Sequence, residues 1–227
     1  INCPFYKVSS FEMTDLELIS EIAKTKKNMI ISTGLASLKE IEIAYNVAKK
    51  GGAKKISLLY CVSIYPASIN DFHLENISIL KKEFNCPVGL SDHSIDNKIA
   101  LVAASLGAEI FEKHIALANQ TKSPDIKFSL KGKKEIKDYI NDVYLGQRLT
   151  KNKNFYRSDQ ELKGRVFRRS IYVVKDIKKG EKFSQENIKK IRPGHSLSAL
   201  YYKKIIGKTS NKNLIFGDRI KKKNIKF

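Results

Sequence analysis

Gly89-Leu90-Ser91-Asp92-His93-Ser94 and Phe111-Glu112-Lys113-His114 are the two stretches on which the reading of this chain turns. Each looks like the end of a buried strand, and each carries a histidine there. The chain has four histidines, and these two sit at equivalent places in consecutive repeats. Successive side chains of a strand point to opposite faces, so Ser91 shares a face with His93 and Glu112 with His114. Neighbouring strands run ~4.8 Å apart, close enough for both imidazoles to converge on one ion. Two nitrogen ligands leave most of a coordination sphere open, which suits Mn, Fe, Co or Zn more than Ca. The competing reading is two ordinary hydrogen-bonded histidines.

Around these two stretches the same unit repeats. Strand-like apolar runs at Phe5–Ser9, Met29–Thr33, Ile56–Cys61, Pro87–Ser91 and Glu109–His114 are expected. Amphipathic helices at Leu16–Ala23, Leu38–Ala48, Leu74–Phe84 and Ile99–Leu106 follow the first four. Ser37-Leu38-Lys39-Glu40 has capping-box spacing, and Gly51-Gly52 and Gly107 mark helix ends. Apolar strands alternating with helices imply a parallel sheet covered on both faces. The repeat of roughly 23 to 30 residues suits the βα unit of a barrel. Five strands do not close an eight-stranded barrel. The chain starts at Ile1 in a strand-like stretch, so the expectation is the C-terminal five βα units of a TIM (β/α)8 barrel over residues 1–149, with the first three strands missing. An open flavodoxin-like sheet is the rival, without a Gly-rich nucleotide fingerprint to support it.

Residues 150–165 read as a polar linker. From 166 to 227 the pattern changes to short strands and turns, with an internal repeat. Asp176 to Ile188 recurs as Asn213 to Ile225, so that Gly180 matches Gly217 and Asn187 matches Asn224. A small β-rich domain with pseudo-twofold symmetry is expected.

A barrel places its reacting groups at the C-terminal strand ends. Those positions here hold Lys7, Ser9, Ser10 and Glu12, then Ser32, Thr33 and Gly34, then Ser63 and Tyr65, then Ser91, His93, Glu112 and His114. Hydroxyls and amides at several strand ends suit a phosphate. Lys7 has three readings: a phosphate-binding cation, a Schiff-base lysine, or a solvent-side lysine. Glu12 is an acid/base or a sugar-orienting carboxylate, or a plain helix N-terminal carboxylate. Tyr65-Pro66 and Asp125 are each a site residue or a turn residue.

The totals narrow the classes. Net charge is +20, with 43 Lys and Arg against 23 Asp and Glu. The lysines are spread along the chain without an aromatic-basic motif, so the charge reads as a solvated surface with some attraction for small anions, not as a specific nucleic-acid interface. Three cysteines without a CxxC pattern read as reduced thiols, which points to the cytoplasm. No apolar run is long enough for a membrane span.

In Lys7–Glu12, Ser32-Thr33-Gly34, Tyr65-Pro66, Gly89–Ser94, Glu112-Lys113-His114, Pro124-Asp125 and Ser129-Leu130 the chain resembles the sialic acid synthase family. Its tail, from Arg168-Arg169-Ser170-Ile171-Tyr172 to Ile191-Arg192-Pro193-Gly194, resembles that family's SAF (antifreeze-like, β-clip) domain. The resemblance implies a transferase that condenses phosphoenolpyruvate with an amino-sugar aldehyde, giving a nonulosonic acid and phosphate. It implies a divalent ion, most often Mn2+ with Mg2+ or Co2+ as options, held by His93 and His114 and polarising the aldehyde. Lys7, Ser10, Ser32 and Ser91 would hold the phosphate and carboxylate, and Glu12, Tyr65 and Asp125 would orient the sugar. In a domain-swapped homodimer, Arg192 would complete the other subunit's site. Gly89-Leu90-Ser91, a small Ser63 and Phe128-Ser129-Leu130 lean to the pseudaminic acid synthase branch, whose sugar is 2,4-diacetamido-2,4,6-trideoxy-L-altrose. N-acetylneuraminate or legionaminate synthase is the alternative, and a sugar-binding module without catalysis is the non-enzyme one.

Overall fold

A computed structural model describes residues 3–152 and 154–226. The chain divides into two compact units, Ile1–Lys153 and Asn154–Phe227.

The first unit alternates strand and helix: β1 (Phe5–Val8), α1 (Leu16–Lys24), β2 (Asn28–Ser32), α2 (Leu38–Lys50), β3 (Ile56–Cys61), α3 (Glu75–Phe84), β4 (Val88–Asp92), α4 (Lys98–Ser105) and β5 (Phe111–Lys113). All five strands are parallel and lie in chain order, β1-β2-β3-β4-β5. A doubly wound sheet reverses its strand order at a switch point. The unbroken order excludes that rival and gives five βα units of a curled, barrel-type sheet. The central strands explain themselves. Every residue of Ile-Ser-Leu-Leu-Tyr-Cys in β3 is buried, as befits a strand covered on both faces.

The helices turn one stripe inward. In α2 the buried residues are Ile41, Ala44 and Ala48, spaced three and four apart. Ser37 and Glu40 form the capping box: the Glu40 amide donates to Ser37 Oγ at 3.3 Å, and the Ser37 amide donates to Glu40 Oε2 at 2.8 Å. Such a cap contributes about 1 kcal/mol. The α1 cap is Asp15, which accepts from the Leu18 amide at 3.0 Å. After β5 a short strand, β6 (Ile115–Ala116), pairs in parallel with β7 (Leu130–Lys131), and α5 (Gly132–Leu149) follows. Gly146 lets α5 approach α4, because a Cβ there would meet Leu101 O at 2.3 Å.

The second unit begins with α6 (Asp159–Lys163), capped by Ser158, whose Oγ accepts from the Glu161 amide at 3.1 Å, and a 3-10 turn at Gly164–Phe167. Helical turns thus occupy part of the stretch expected as linker. Then come β8 (Ser170–Val173), β9 (Ile188–Ile191), β10 (Leu197–Ser198), α7 (Tyr202–Ile205), β11 (Thr209–Ser210) and β12 (Ile225–Lys226). They form antiparallel sheets in the order β10-β8-β9 and β11-β12, around a core that includes Ile171, Ile177, Phe183, Ile188, Leu214 and Ile220.

The repeat in the sequence is realised in hydrogen bonds. The Lys178 amide donates to Glu181 Oε2, and the Ile215 amide to Asp218 Oδ2. Buried Asn187 accepts from the Ser184 amide, and buried Asn224 from the Lys221 amide. Each half also reaches into the other. The Lys179 amide donates to Asn213 Oδ1, and the Phe216 amide to Asp176 Oδ1, both at 2.8 Å. Among the described residues, no helix is long and apolar enough to cross a membrane.

Candidate active site

The register of β4 against β5 pairs Ser91 with Glu112 and Asp92 with Lys113. His93 and His114 follow one step further on, at the C-terminal strand ends. Gly89 is what allows this close pairing: a Cβ there would stand 2.1 Å from the Ile110 carbonyl oxygen. The imidazole rings lie 5.4 Å apart between centroids, at 61° to each other. His93 is buried. Its Nδ1 lies 3.0 Å from the Val62 carbonyl oxygen and so carries the proton. His114 Nδ1 lies 3.3 Å from Asp125 Oδ2. Both rings therefore keep Nε2 for another partner. Burial, and then the neighbouring His114, pull the His93 pKa below its ordinary value, while the Val62 carbonyl opposes them. A neutral imidazole whose other nitrogen is bound to an oxygen is the form in which histidine binds a metal. The donor chemistry of this pair fits a divalent ion. Among the described residues, no group of three or more His, Cys, Asp or Glu side chains gathers to hold one.

Aromatic rings wall the histidines. Tyr65 lies 4.3 Å from His93, centroid to centroid. Buried Phe128 stands nearly perpendicular to His93 at 5.8 Å and lies 5.0 Å from His114 and 5.7 Å from Tyr65. Burial pushes the Tyr65 phenol up, and the Ser10 and Ser63 hydroxyls beside it oppose that.

Polar groups collect on the neighbouring strand ends. Lys7 Nζ pairs with Glu112 Oε1 at 3.2 Å, and Ser91 Oγ donates to the same oxygen at 2.7 Å. Ser10 and Ser63 share a hydrogen bond of 2.9 Å. Gly34 makes room beside them. Its φ is +47°, and a Cβ there would lie 2.3 Å from Ser10 Cβ and 2.8 Å from Ser63 Oγ. Ser32 Oγ is buried without a hydrogen-bond partner among the described residues. A buried hydroxyl left unbonded is costly, and a bound anion would satisfy it.

Glu12 is exposed, and its Oε2 accepts from the Ser9 amide at 3.1 Å, capping the turn after β1. Among the described residues, no hydrogen bond or ion pair ties it to the histidines. Arg192 belongs to the second unit, where it is exposed at the end of β9 and precedes a cis proline. Two residues without an assigned role stand inside the cluster: Glu112, which joins Lys7 to Ser91, and Phe128, which backs both imidazoles. Alternation already put Glu112 on the face of His114. Phe128 lies across a loop that gives no periodic signal.

The NeuB family model matches residues 1–154, and the SAF domain model matches residues 168–226. A pseudaminic acid synthase of Campylobacter jejuni is 40% identical over 95% of this chain and 63% of its own length. An N,N'-diacetyllegionaminic acid synthase of the same species is 40% identical over 92% of this chain and 63% of its own length. The chain thus spans somewhat under two thirds of these curated relatives. Among solved structures, an N-acetylneuraminic acid synthetase of Leptospira borgpetersenii aligns with a TM-score of 0.66 at 30% identity, covering 71% of this chain and 56% of that one. The match extends through every βα unit that carries the polar cluster, and on that ground this chain belongs to the NeuB family.

Proposed function

We propose that this chain carries the site of a nonulosonic acid synthase, which joins phosphoenolpyruvate to an amino-sugar aldehyde and releases phosphate. The observation that carries the reading is the meeting of His93 and His114 at neighbouring strand ends, their Nδ1 atoms already partnered, with Lys7, Glu112 and Ser91 linked on the same set of strand ends. The similarity to synthases of pseudaminic and legionaminic acids supports it.

In this reading Lys7, Ser10, Ser32 and Ser91 bind the phosphate and carboxylate of phosphoenolpyruvate. The enol carbon attacks the aldehyde carbon, and the new carbon–carbon bond leaves a cationic centre at C2. Water adds there and gives up a proton as the former aldehyde oxygen gains one, and the C–O bond to phosphate breaks to leave a keto group at C2 and inorganic phosphate. His93 and His114 would hold a divalent ion, most often Mn2+, whose chemistry when bound is to polarise the aldehyde oxygen. Asp125 holds His114 by Nδ1, and Tyr65 packs on His93, so both rings stay aimed while the sugar is oriented. Glu12 stands at the first strand end as the acid/base candidate. A homodimer in which exposed Arg192 serves a partner subunit's substrate belongs to the same proposal, and sedimentation of the Arg192→Ala variant against the parent separates assembly from binding.

The two Campylobacter relatives stand at equal identity, so identity alone does not choose the sugar. Ser63, small beside Ser10 and Tyr65, favours the less polar 6-deoxy diacetamido sugar of the pseudaminic branch. Mass spectrometry decides it: the full-length protein is given phosphoenolpyruvate with 2,4-diacetamido-2,4,6-trideoxy-L-altrose, its legionaminic counterpart or N-acetylmannosamine. A nonulosonic product from the first alone is expected. No product from any of them, with metal supplied, would leave a sugar-binding module.

A further inference from the structure

The two strands that carry the histidines have a reverse face, and it holds a buried ion pair. Asp92 is 0% exposed and the Lys113 side chain 5%, with Nζ 3.2 Å from Asp92 Oδ2. They are directly opposite each other in the β4–β5 register. Tyr139 of α5 covers them, its ring centroid 5.8 Å from Lys113 Nζ.

Stability does not explain such a pair. Two charges taken out of water lose about as much hydration as their attraction returns, and an apolar pair of like size commonly serves the fold as well or better. Leu and Met would fill the space. What they could not do is hold Ser94. The Ser94 amide donates to Asp92 Oδ1 at 2.8 Å, and Lys113 Nζ donates to the Ser94 carbonyl oxygen. Both main-chain groups of the residue after His93 are thus tied to the pair. The His93 carbonyl accepts from the Ala67 amide at 3.0 Å, and its ring is tied to Val62. His93 is therefore bracketed by Asp92 and Ser94, which answer to a lysine adjacent to His114 on the next strand.

We infer that Asp92 and Lys113 are positioning residues that fix the backbone on either side of His93 relative to β5, and so set the separation at which one cation meets His93 and His114. The inference rests on the proposal that these histidines hold a divalent ion. Neither charged group faces the site: alternation puts both on the side of the strands away from the imidazoles. Their hold on the position of His93 passes through the bonds at Ser94, and the Asp92 carboxylate adds a through-space attraction for the charged ring.

The test uses the whole chain with two double substitutions, Asp92→Asn with Lys113→Met, and Asp92→Leu with Lys113→Met. Neither leaves an unpaired buried charge. Thermal unfolding establishes that each folds. Mn2+ alone is then titrated, with binding read from water-proton relaxation. Affinity about tenfold to a hundredfold weaker than the parent's is expected, the range for removing groups that orient ligands. Metal-free chains are compared by the imidazole nitrogen–proton correlations of His93 and His114 and by amide exchange at Ser94. Displaced ring signals and faster Ser94 exchange are expected, with unfolding midpoints near the parent's. If a folded variant binds Mn2+ like the parent and keeps its ring signals, the assignment is overturned. Loss of the fold in both variants would make the pair structural and also overturn it. If the parent binds no Mn2+, the cation reading fails separately, and the ring signals and Ser94 exchange still decide whether the pair positions the histidines.

Discussion

His93 Nδ1 lies 3.0 Å from the Val62 carbonyl oxygen, an acceptor with no proton to give, so the tautomer and the direction of Nε2 are both fixed by the end of β3. One strand end thus aims a ring that the next one carries, and the geometry of the site follows from sheet order.

Ser32→Ala should separate binding from stability. The Ser32 hydroxyl is buried and unbonded, so its removal should leave the unfolding midpoint unchanged or slightly raised. Affinity for phosphoenolpyruvate should fall about tenfold to a hundredfold, the loss expected for a hydrogen bond to a charged group. Calorimetric titration and urea unfolding of the same sample measure both. Unaltered affinity would remove Ser32 from the anion site.

Gly89→Ala should be severe. The added methyl would stand 2.1 Å from the Ile110 carbonyl oxygen and 2.7 Å from Leu59 Cδ2, which forces β4 from β5. A loss of about 3 kcal/mol or more is expected, at the upper end for overpacking. Gly164→Ala has open space around it and should stay within about 0.5 kcal/mol. Thermal unfolding compares them directly, and equal midpoints would contradict the strand packing.

Cys86 gives a pH dependence. Burial pushes its thiol up to about 11, whereas an unfolded thiol titrates near ~8.5. Between those values the unfolded chain has lost the proton that the folded chain keeps, so stability falls as pH rises through the window. From pH 8.5 to pH 10 the drop should be roughly 1–2 kcal/mol. Urea midpoints across that range should decline less steeply in Cys86→Ala than in the parent; parallel slopes would refute the shift.

Asn187→Ala and Asn224→Ala should each cost about 1–3 kcal/mol, because each leaves a turn amide without its acceptor. Asn187 should be the costlier, since its Nδ2 also donates to the Lys182 carbonyl oxygen at 3.0 Å. Denaturant unfolding of both variants gives the order; equal costs would show that the shared acceptor dominates, and the reverse order would contradict the added role of the Asn187 donor.

Much of this architecture is legible in the sequence. The two-residue alternation, the helical spacing of Ile41, Ala44 and Ala48, and the Ser37–Glu40 cap are local signals, and local signals fix where elements begin. The same alternation places His93 with His114 and Glu112 on one face. What it does not give is partnership across the fold. Lys7 meeting Glu112, Phe128 backing both rings, and Lys113 reaching Ser94 all join residues far apart in the chain. Helix α6 gives no periodic signal, because five residues are too few for a period to show, although Ser158 and Glu161 carry its cap.

The crossed bonds of the second unit, Lys179 to Asn213 and Phe216 to Asp176, have a consequence for descent. Each copy closes its turn in part with its own carboxylate, Glu181 or Asp218, and takes one further acceptor from its sister. In two separate molecules the same exchange of acceptors would make a symmetric dimer, so a duplication that joined the copies would turn a contact between subunits into one within a single polypeptide.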